Sequence, residues 1–297
     1  MRVVTLVPAA TEIAAALGGA GQLVGISHEC DFPASVMHLP RVTATPIDPS
    51  ASGAAIDAEV RRLRDAGRPV IAADAEQLRA LAPDLIVTQG LCEVCAVADG
   101  EVHRLATTLD RPPAILSLTA RTVPEIWQDI RAVARALDLE SEADELIAGL
   151  DSRLARLRAR QAAARPRMVC LEWLDPLYLA GHWVPQLVEA AGGEDVGARA
   201  GSHSMRRKWD EVAALRPDLI LVALCGFGVD RARVELEALD APGARPLFGQ
   251  APCWILDGNA YTSRAGPRVV DGAERLRSAL LGRELPGLAR WRPAPRG

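Results

Sequence analysis

The sequence has no apolar run near the roughly 20 residues that a membrane helix needs, and no surplus of positive charge. Its 297 residues carry 34 lysines and arginines against 38 aspartates and glutamates, a formal net charge of −4. That balance gives no electrostatic footprint for nucleic acid. The arginines are scattered along helical patterns; the one cluster, Arg206-Arg207-Lys208, reads as a solvated helix start. Neither a Gly-x-Ser-x-Gly elbow nor a Walker-type phosphate loop occurs, so nucleophilic hydrolysis and nucleotide chemistry lack their usual signatures. Gly18-Gly19 ends a helical pattern instead of opening one, and so is no dinucleotide fingerprint. Met1-Arg2 runs straight into Val3-Val4-Thr5-Leu6-Val7, closed by Pro8, which reads as a strand and not as the apolar core of a signal peptide. With Met1 as the start, a cytoplasmic location is expected. In a reducing compartment the six cysteines are expected to be core residues, ligands or reactive thiols, not a disulfide frame.

What the chain does have is a repeat. Leu81-Ala82-Pro83-Asp84-Leu85-Ile86-Val87 recurs at constant register as Leu215-Arg216-Pro217-Asp218-Leu219-Ile220-Leu221. Each copy ends a helical pattern and opens an apolar run, and each run leads to a cysteine, Cys92 or Cys225. Arg2 to Leu6 with Gly18-Gly19 has its counterpart in Arg167 to Leu171 with Gly192-Gly193. The expected fold class is therefore α/β: two Rossmann-like lobes joined by a long helix, with a ligand cleft between the lobes. The expected divisions are 1–120 for the N-terminal lobe, 121–165 for the linking helix and 166–297 for the C-terminal lobe. Strands are expected at 2–7, 23–27, 69–72, 85–88, 115–118, 168–173, 219–224 and 253–256. Helices are expected at 10–17, 56–66, 75–81, 184–191, 208–215, 230–239 and 267–281. Thr122 to Glu125 has the form of a capping box, and Ile126, Ile130, Val133 and Leu137 follow at helical spacing. Ser141 begins a second such pattern, which stops before Pro166. A rigid connection of this kind predicts little lobe movement. The tail from Glu284, with Pro286, Pro293 and Pro295, is expected to be irregular.

In open α/β sheets ligands lie beyond the carboxyl ends of the strands, and the chemically distinctive residues fall there. They are His28, Glu29 and Cys30; then Gln89, Cys92, Glu93 and Cys95. In the second half they are Glu172 and Trp173; His182 and Trp183; Cys225, Gly226 and Phe227; and Tyr261, Ser263 and Arg264. Cys92-x-x-Cys95 with His28 and Cys30 makes a possible four-ligand metal set, since thiolate and imidazole suit zinc; an iron–sulfur cluster is a further possibility. The same residues fit the lining of an organic-ligand pocket, or a redox pair at Cys92 and Cys95. Cys170 and Cys253 fall within or at the start of strands and read as small core residues. Glu172 follows an apolar run and needs a partner such as Arg264 or a ligand amide. His182 is placed to donate to a ligand or to bind a corrinoid cobalt. His38, His103 and His203 lack supporting neighbours and receive no role.

With these stretches in view, the chain resembles the vitamin B12-binding proteins of ABC importers, within the periplasmic binding proteins whose two lobes are joined by one helix. The resemblance is carried by Arg2 to Phe32, Leu81 to Val87, Pro185 to Val196 with Gly192-Gly193, and Tyr261 to Pro267 with Arg264. It covers nearly the whole chain. It implies a binding protein, not an enzyme, holding a corrinoid such as cobalamin between the lobes, with Trp173, Trp183, Phe227 and Tyr261 as flat contact area. Glu172, His182, Gln89 and Arg264 would then bond polar substituents. It also implies a partner ABC permease, met by one surface acid on each lobe; by motif these are Glu76 and Asp210. Both also fit a plainer role as acids in the first turn of a helix, where the dipole favours them. Two departures from the family stand out: Glu29 and Gln89 look aligned with positions where the transporter-type proteins carry aromatics, and no signal peptide is expected from the first residues. A cytosolic enzyme built on the same scaffold, using metal or thiols, is the alternative.

Overall fold

The structure, a computed structural model, describes residues 1–90, 96–159 and 164–292. The chain divides into two compact units. The first comprises Met1–Ala51, Ala55–Ala120 and Pro124–Gly149; the second comprises Ser52–Ala54, Arg121–Val123 and the chain from Leu150 onward.

The first unit begins with strand β1 (Val3–Thr5), helix α1 (Pro8–Ala16) and strand β2 (Leu23–Gly25). Then come β3 (Thr43–Ala44), α2 (Gly53–Asp65), β4 (Ala72–Ala73), α3 (Ala75–Leu81), β5 (Leu85–Gln89), α4 (Asp99–Thr107) and β6 (Ala114–Leu118). Its main sheet is parallel, in the order β2-β1-β5-β6. Val3, Val4, Ile86 and Val87 are almost fully buried, as expected for strands covered on both faces. The expected strand at 69–72 is instead Ala72–Ala73, paired antiparallel with β3 in a separate two-stranded ribbon. Val70 and Ile71 serve the core beneath it, with Leu63, Leu78 and Val102.

Helices α5 (Val123–Leu137) and α6 (Glu140–Arg158) follow. The stretch expected as one long helix is thus two. Asp138 adopts φ 58, and the Leu139 N–H reaches back to the Ala134 carbonyl at 2.9 Å, the left-handed termination that ends a helix within one residue. Helix α6 carries the chain from the first unit, which ends at Gly149, into the second, which resumes at Leu150.

The second unit holds β7 (Arg167–Leu174), β8 (Leu177–Leu179), α7 (Val184–Ala191), β9 (Glu194–Asp195), β10 (Met205–Arg206), α8 (Trp209–Ala214) and β11 (Leu219–Val222). It continues with α9 (Val229–Ala238), α10 (Ala244–Gln250), β12 (Cys253–Leu256), α11 (Gly258–Tyr261), α12 (Val269–Leu280) and β13 (Leu288–Trp291). Its sheet runs β10-β8-β7-β11-β12-β13, with β9 also on β7. The centre, β7-β11-β12, is parallel, and β13 joins antiparallel at the edge. The tail expected to be irregular therefore contains a strand. Leu288 and Trp291 face inward there, an alternation too short to read against the surrounding prolines.

The sequence repeat is a repeat of hydrogen bonds. Helix α3 ends through Ala82 at φ 43, and α8 through Arg216 at φ 49. Each turn then places an aspartate beside the start of the neighbouring strand. The Arg2 N–H donates to Asp84 Oδ2 at 2.8 Å, and the Asp84 N–H returns a bond to the Arg2 carbonyl at 2.8 Å. Arg2 Nε donates to the Leu81 carbonyl at 2.8 Å. In the second unit the Arg167 N–H donates to Asp218 Oδ2 at 2.8 Å, the Asp218 N–H to the Arg167 carbonyl at 2.7 Å, and Arg167 Nη2 to the Leu215 carbonyl at 2.8 Å. Gly18 (φ 83) and Gly192 (φ 98) follow α1 and α7 in the left-handed conformation, where a side chain would be strained.

Candidate functional site

In the first unit, β2 runs through Ile26 into Ser27, His28, Glu29 and Cys30. Thr43, at the start of β3, gathers this turn. Its hydroxyl accepts from the His28 N–H at 2.9 Å, meets His28 Nδ1 at 2.6 Å and Ser27 Oγ at 3.1 Å, and the Glu29 N–H donates to Ser27 Oγ at 3.3 Å. A hydroxyl has one proton to give. If Thr43 gives it to Nδ1, Ser27 gives its own to Thr43 and every contact is satisfied, leaving the ring proton on Nε2. That Nε2 is buried and has no hydrogen-bond partner. Burial, helped by the positive charge of Arg41, holds the imidazole below its usual pKa and so favours the neutral ring.

Cys30 is only 4% exposed and shares a 3.1 Å contact with Thr11 Oγ1, which in turn meets Thr5 Oγ1 at 2.6 Å. It belongs to the interior of the first unit. Glu29 is exposed and Gln89, at the end of β5, is half-buried. Cys92, Glu93 and Cys95 lie outside the described residues. Of the four expected metal ligands only His28 and Cys30 are described. Among the described residues no group of three or more histidine, cysteine, aspartate or glutamate side chains is placed to hold a metal ion.

In the second unit the carboxyl ends of β7 and β11 and the segment after β12 come together. The Cys225 N–H donates to the Glu172 carbonyl at 3.0 Å, and the Gly226 N–H to Ser263 Oγ at 3.3 Å. The Trp173 and Phe227 rings meet at 5.3 Å between centroids, tilted by 50°. Arg231, on α9, lies 4.7 Å over the Phe227 ring. Phe227 is 7% exposed, while Trp173, Cys225 and Ser263 are half-buried and Gly226 is exposed. Tyr261 is differently engaged: Arg275 stands 4.0 Å and Arg268 5.3 Å from its ring centre. Arg264 is buried and donates to Asn259 Oδ1 at 2.8 Å.

His182 sits in a clamped turn between β8 and α7. Its N–H donates to the Ser202 carbonyl at 2.6 Å and its carbonyl accepts from the Gly201 N–H at 2.9 Å. The residue is held at φ 52, an uncommon conformation for a side-chain-bearing residue. Gly181 must precede it, because a Cβ there would lie 2.4 Å from the Ser202 carbonyl oxygen. The Gly181 N–H donates to Ser204 Oγ at 3.3 Å, and Ser204 Oγ donates to Glu172 Oε2. Glu172 therefore has a protein partner, and it ties the end of β7 to the histidine turn. Burial first, then His203 and Arg121, hold the His182 imidazole below its usual pKa. His182 Nε2 and the adjacent Trp183 Nε1 are both buried without hydrogen-bond partners. Trp183 is 5% exposed, so its ring packs mainly inward. His203, given no role from the sequence, stands edge-on to His182 at 5.5 Å between ring centres. Ser204 and Arg231 also escaped sequence reading: neither sits in a motif, Ser204 acts through a contact with a distant segment, and Arg231 through a ring four residues before it.

Glu76 and Asp210 are exposed and occupy the first turns of α3 and α8. The two positions are equivalent in the repeat.

Two α/β units with parallel central sheets, joined through a helix, define a two-lobed binding protein. The chain belongs to the periplasmic binding protein family, whose model matches residues 3–234. Among solved structures, a periplasmic heme-binding protein from Pseudomonas aeruginosa is similar, with a TM-score of 0.71 at 19% identity, covering 100% of this chain and 99% of that one. The apo form of the periplasmic heme-binding protein RhuT from Roseiflexus sp. RS-1 matches with a TM-score of 0.66 at 22% identity, over 95% of this chain and 98% of that one. The periplasmic vitamin B12-binding protein BtuF of Vibrio cholerae gives 0.65 at 21%, over 94% and 96%. No curated protein matches the chain. At these identities the likeness speaks for the fold. Among the described residues no helix is long and apolar enough to cross a membrane.

Proposed function

We propose that the protein binds a large metal-bearing macrocycle, a corrinoid such as cobalamin, as the solute-binding component of an ABC importer. The observation that carries this reading is the cluster at the carboxyl ends of β7 and β11. There the Trp173–Phe227 ring pair adjoins Glu172, Cys225 and Ser263 through the bonds already described. A partly open aromatic pair beside a few polar groups suits a ligand with a broad apolar body and polar edges. His182 supports the metal-bearing character of the ligand. Its Nε2 lacks a protein partner, and its lowered pKa keeps the imidazole neutral and competent to coordinate near neutral pH. Heme is the second reading, favoured by the heme-binding proteins among the similar structures. Glu76 and Asp210 are the surface acids proposed to meet the permease.

Absorption titration of the purified protein with hydroxocobalamin, cobinamide and hemin tests the reading. Saturable binding in the micromolar range or tighter is expected for one of them. Trp173→Ala is expected to weaken it about tenfold, the ~1.4 kcal/mol that one aromatic contact contributes. A flat response to all three ligands, in protein that melts cooperatively, ends the macrocycle proposal.

A further inference from the structure

The second unit has a cavity separate from that cluster. It has a volume of about 650 Å³, within the roughly 300–1,000 Å³ range of small-molecule sites. It lies against Arg167 at the start of β7, Asp195 on β9, and Arg199, Ser202 and Arg207 on the segment leading into and out of β10. Arg167 stands six residues before Trp173 on one extended strand, about 20 Å at the usual rise.

Two features of this cavity point to a ligand. The first is Asp195. Its Oδ1 accepts from the Gly197 and Ala198 N–H groups at 2.9 and 3.0 Å. Its Oδ2 is buried with no hydrogen-bond partner, the kind of group that proteins ordinarily satisfy. Burial raises the carboxyl to about 6 in spite of those two backbone bonds. The second is the set of guanidinium groups. Arg167 spends Nη2 on the Leu215 carbonyl, and Arg207 Nη2 lies 3.8 Å from the Met205 sulfur. Glu194 is the other acid on the wall, and it is exposed. Arginines suit planar recognition of carboxylate or phosphate, and an orphan carboxylate oxygen requires an O–H or N–H donor.

We propose that this cavity binds a small hydroxyl-bearing anion, either a phosphate monoester or a 2-hydroxy acid. Its charged group lies against Arg199 and Arg207 and its hydroxyl donates to Asp195 Oδ2. The site is distinct from the macrocycle reading: no residue of the Trp173–Phe227 cluster lines the cavity, and Ser202, which does, meets His182 through its backbone carbonyl.

Calorimetry of the full chain at constant ionic strength, with glycerol 3-phosphate, lactate, hydrogenphosphate and sulfate, tests the proposal. Sulfate carries no proton at neutral pH, whereas the other three carry at least one donor. Saturable binding of glycerol 3-phosphate or lactate is expected, the stronger naming the anion class, with sulfate at least tenfold weaker. Arg199→Ala, an exposed change that leaves folding intact, is expected to weaken binding about tenfold. Asp195→Asn keeps an acceptor for the two backbone N–H groups but replaces the free acceptor by a donor, and is expected to remove the preference over sulfate. Sulfate binding as tight as the hydroxylated anions overturns the role of Asp195. Absent heat with all four probes, or unchanged binding in Arg199→Ala, overturns the site. Neither result bears on titrations with cobalamin or hemin.

Discussion

At Gly181 the decisive quantity is one distance. A methyl group would stand 2.4 Å from the Ser202 carbonyl oxygen, and that oxygen is already fixed by the His182 N–H. Backbone cannot step aside as a side-chain tip can, so Gly181→Ala is expected to cost about 1–3 kcal/mol. Urea denaturation reads the cost as a fall in midpoint at constant m-value. Asp195 makes the opposite prediction. Its carboxyl is raised from the usual aspartate value to about 6, so the folded chain holds a proton that the unfolded chain has already lost. The corresponding stability is fully present below the unfolded pKa of roughly 4 and is lost as pH rises through about 6. Asp195→Asn carries no charge to bury. Its melting temperature is expected to exceed that of the parent at pH 8, with the difference shrinking toward pH 4.5. A difference independent of pH would show that the carboxyl titrates normally. His28 and His182 add a slope of the same physical origin on the acid side. Their folded pKa values lie below the usual imidazole value, so stability falls as pH drops below about 6.5, where the unfolded rings take up protons first.

At the scale of elements, the repeated turn is the clearest link from sequence to structure. Leu-x-Pro-Asp encodes a helix end, a left-handed residue, a proline and an aspartate that accepts from the first N–H of a neighbouring strand. Asp84 and Asp218 make this bond at the same length, 2.8 Å. Removal of either should cost a similar amount, about 1.5–3 kcal/mol for a hydrogen bond to a charged acceptor. Asp84→Ala and Asp218→Ala, compared by denaturant unfolding, are expected to agree within about 1 kcal/mol; a wide gap would mean that only one copy supports its unit. The elements that sequence reading placed well are those with strong periodicity or punctuation: β7, β12, α3 and α7 fall within a residue or two of expectation. The strands it missed are short: β3, β8, β9, β10 and β13 have two to four residues each, too few to show an alternation, and their partners decide them. Helices α4 and α10, of nine and seven residues, were missed as well. The candidate site was legible in the same uneven way. Strand-end position alone singles out Trp173, Cys225 and Phe227, which the structure brings together, because the apolar runs before them are unmistakable. The same rule placed Cys30 in a pocket, whereas Thr11 and Thr5 draw it inward. It saw nothing of His203, Ser204 or Asp195, whose roles depend on which distant segment folds against them.

For the molecule as a whole, the telling segment is α6, which begins in one unit and ends in the other. Its pattern predicts part of one long linker helix; the break at Asp138 leaves α6 alone to make the passage. The half within the second unit is fastened by Arg153. Its guanidinium donates to Glu274 through Nε at 2.9 Å and through Nη2 at 2.7 Å, and also to Asp271, both on α12. These carboxylates hold the arginine pKa above its ordinary value, and the arginine holds Glu274 below its own. All three side chains are about one-third exposed, so solvent screening leaves the network about 1 kcal/mol. That is small against global stability but large against the local opening of one helical end. Arg153→Ala is therefore expected to lower the melting temperature only slightly. Amide hydrogen exchange should quicken severalfold over Leu150–Arg158 and stay unchanged over Glu140–Gly149, where packing of Ala143 and Ile147 in the first unit does not depend on the ion pair. Uniform quickening along α6 would mean that the helix opens as one body, held equally by both units.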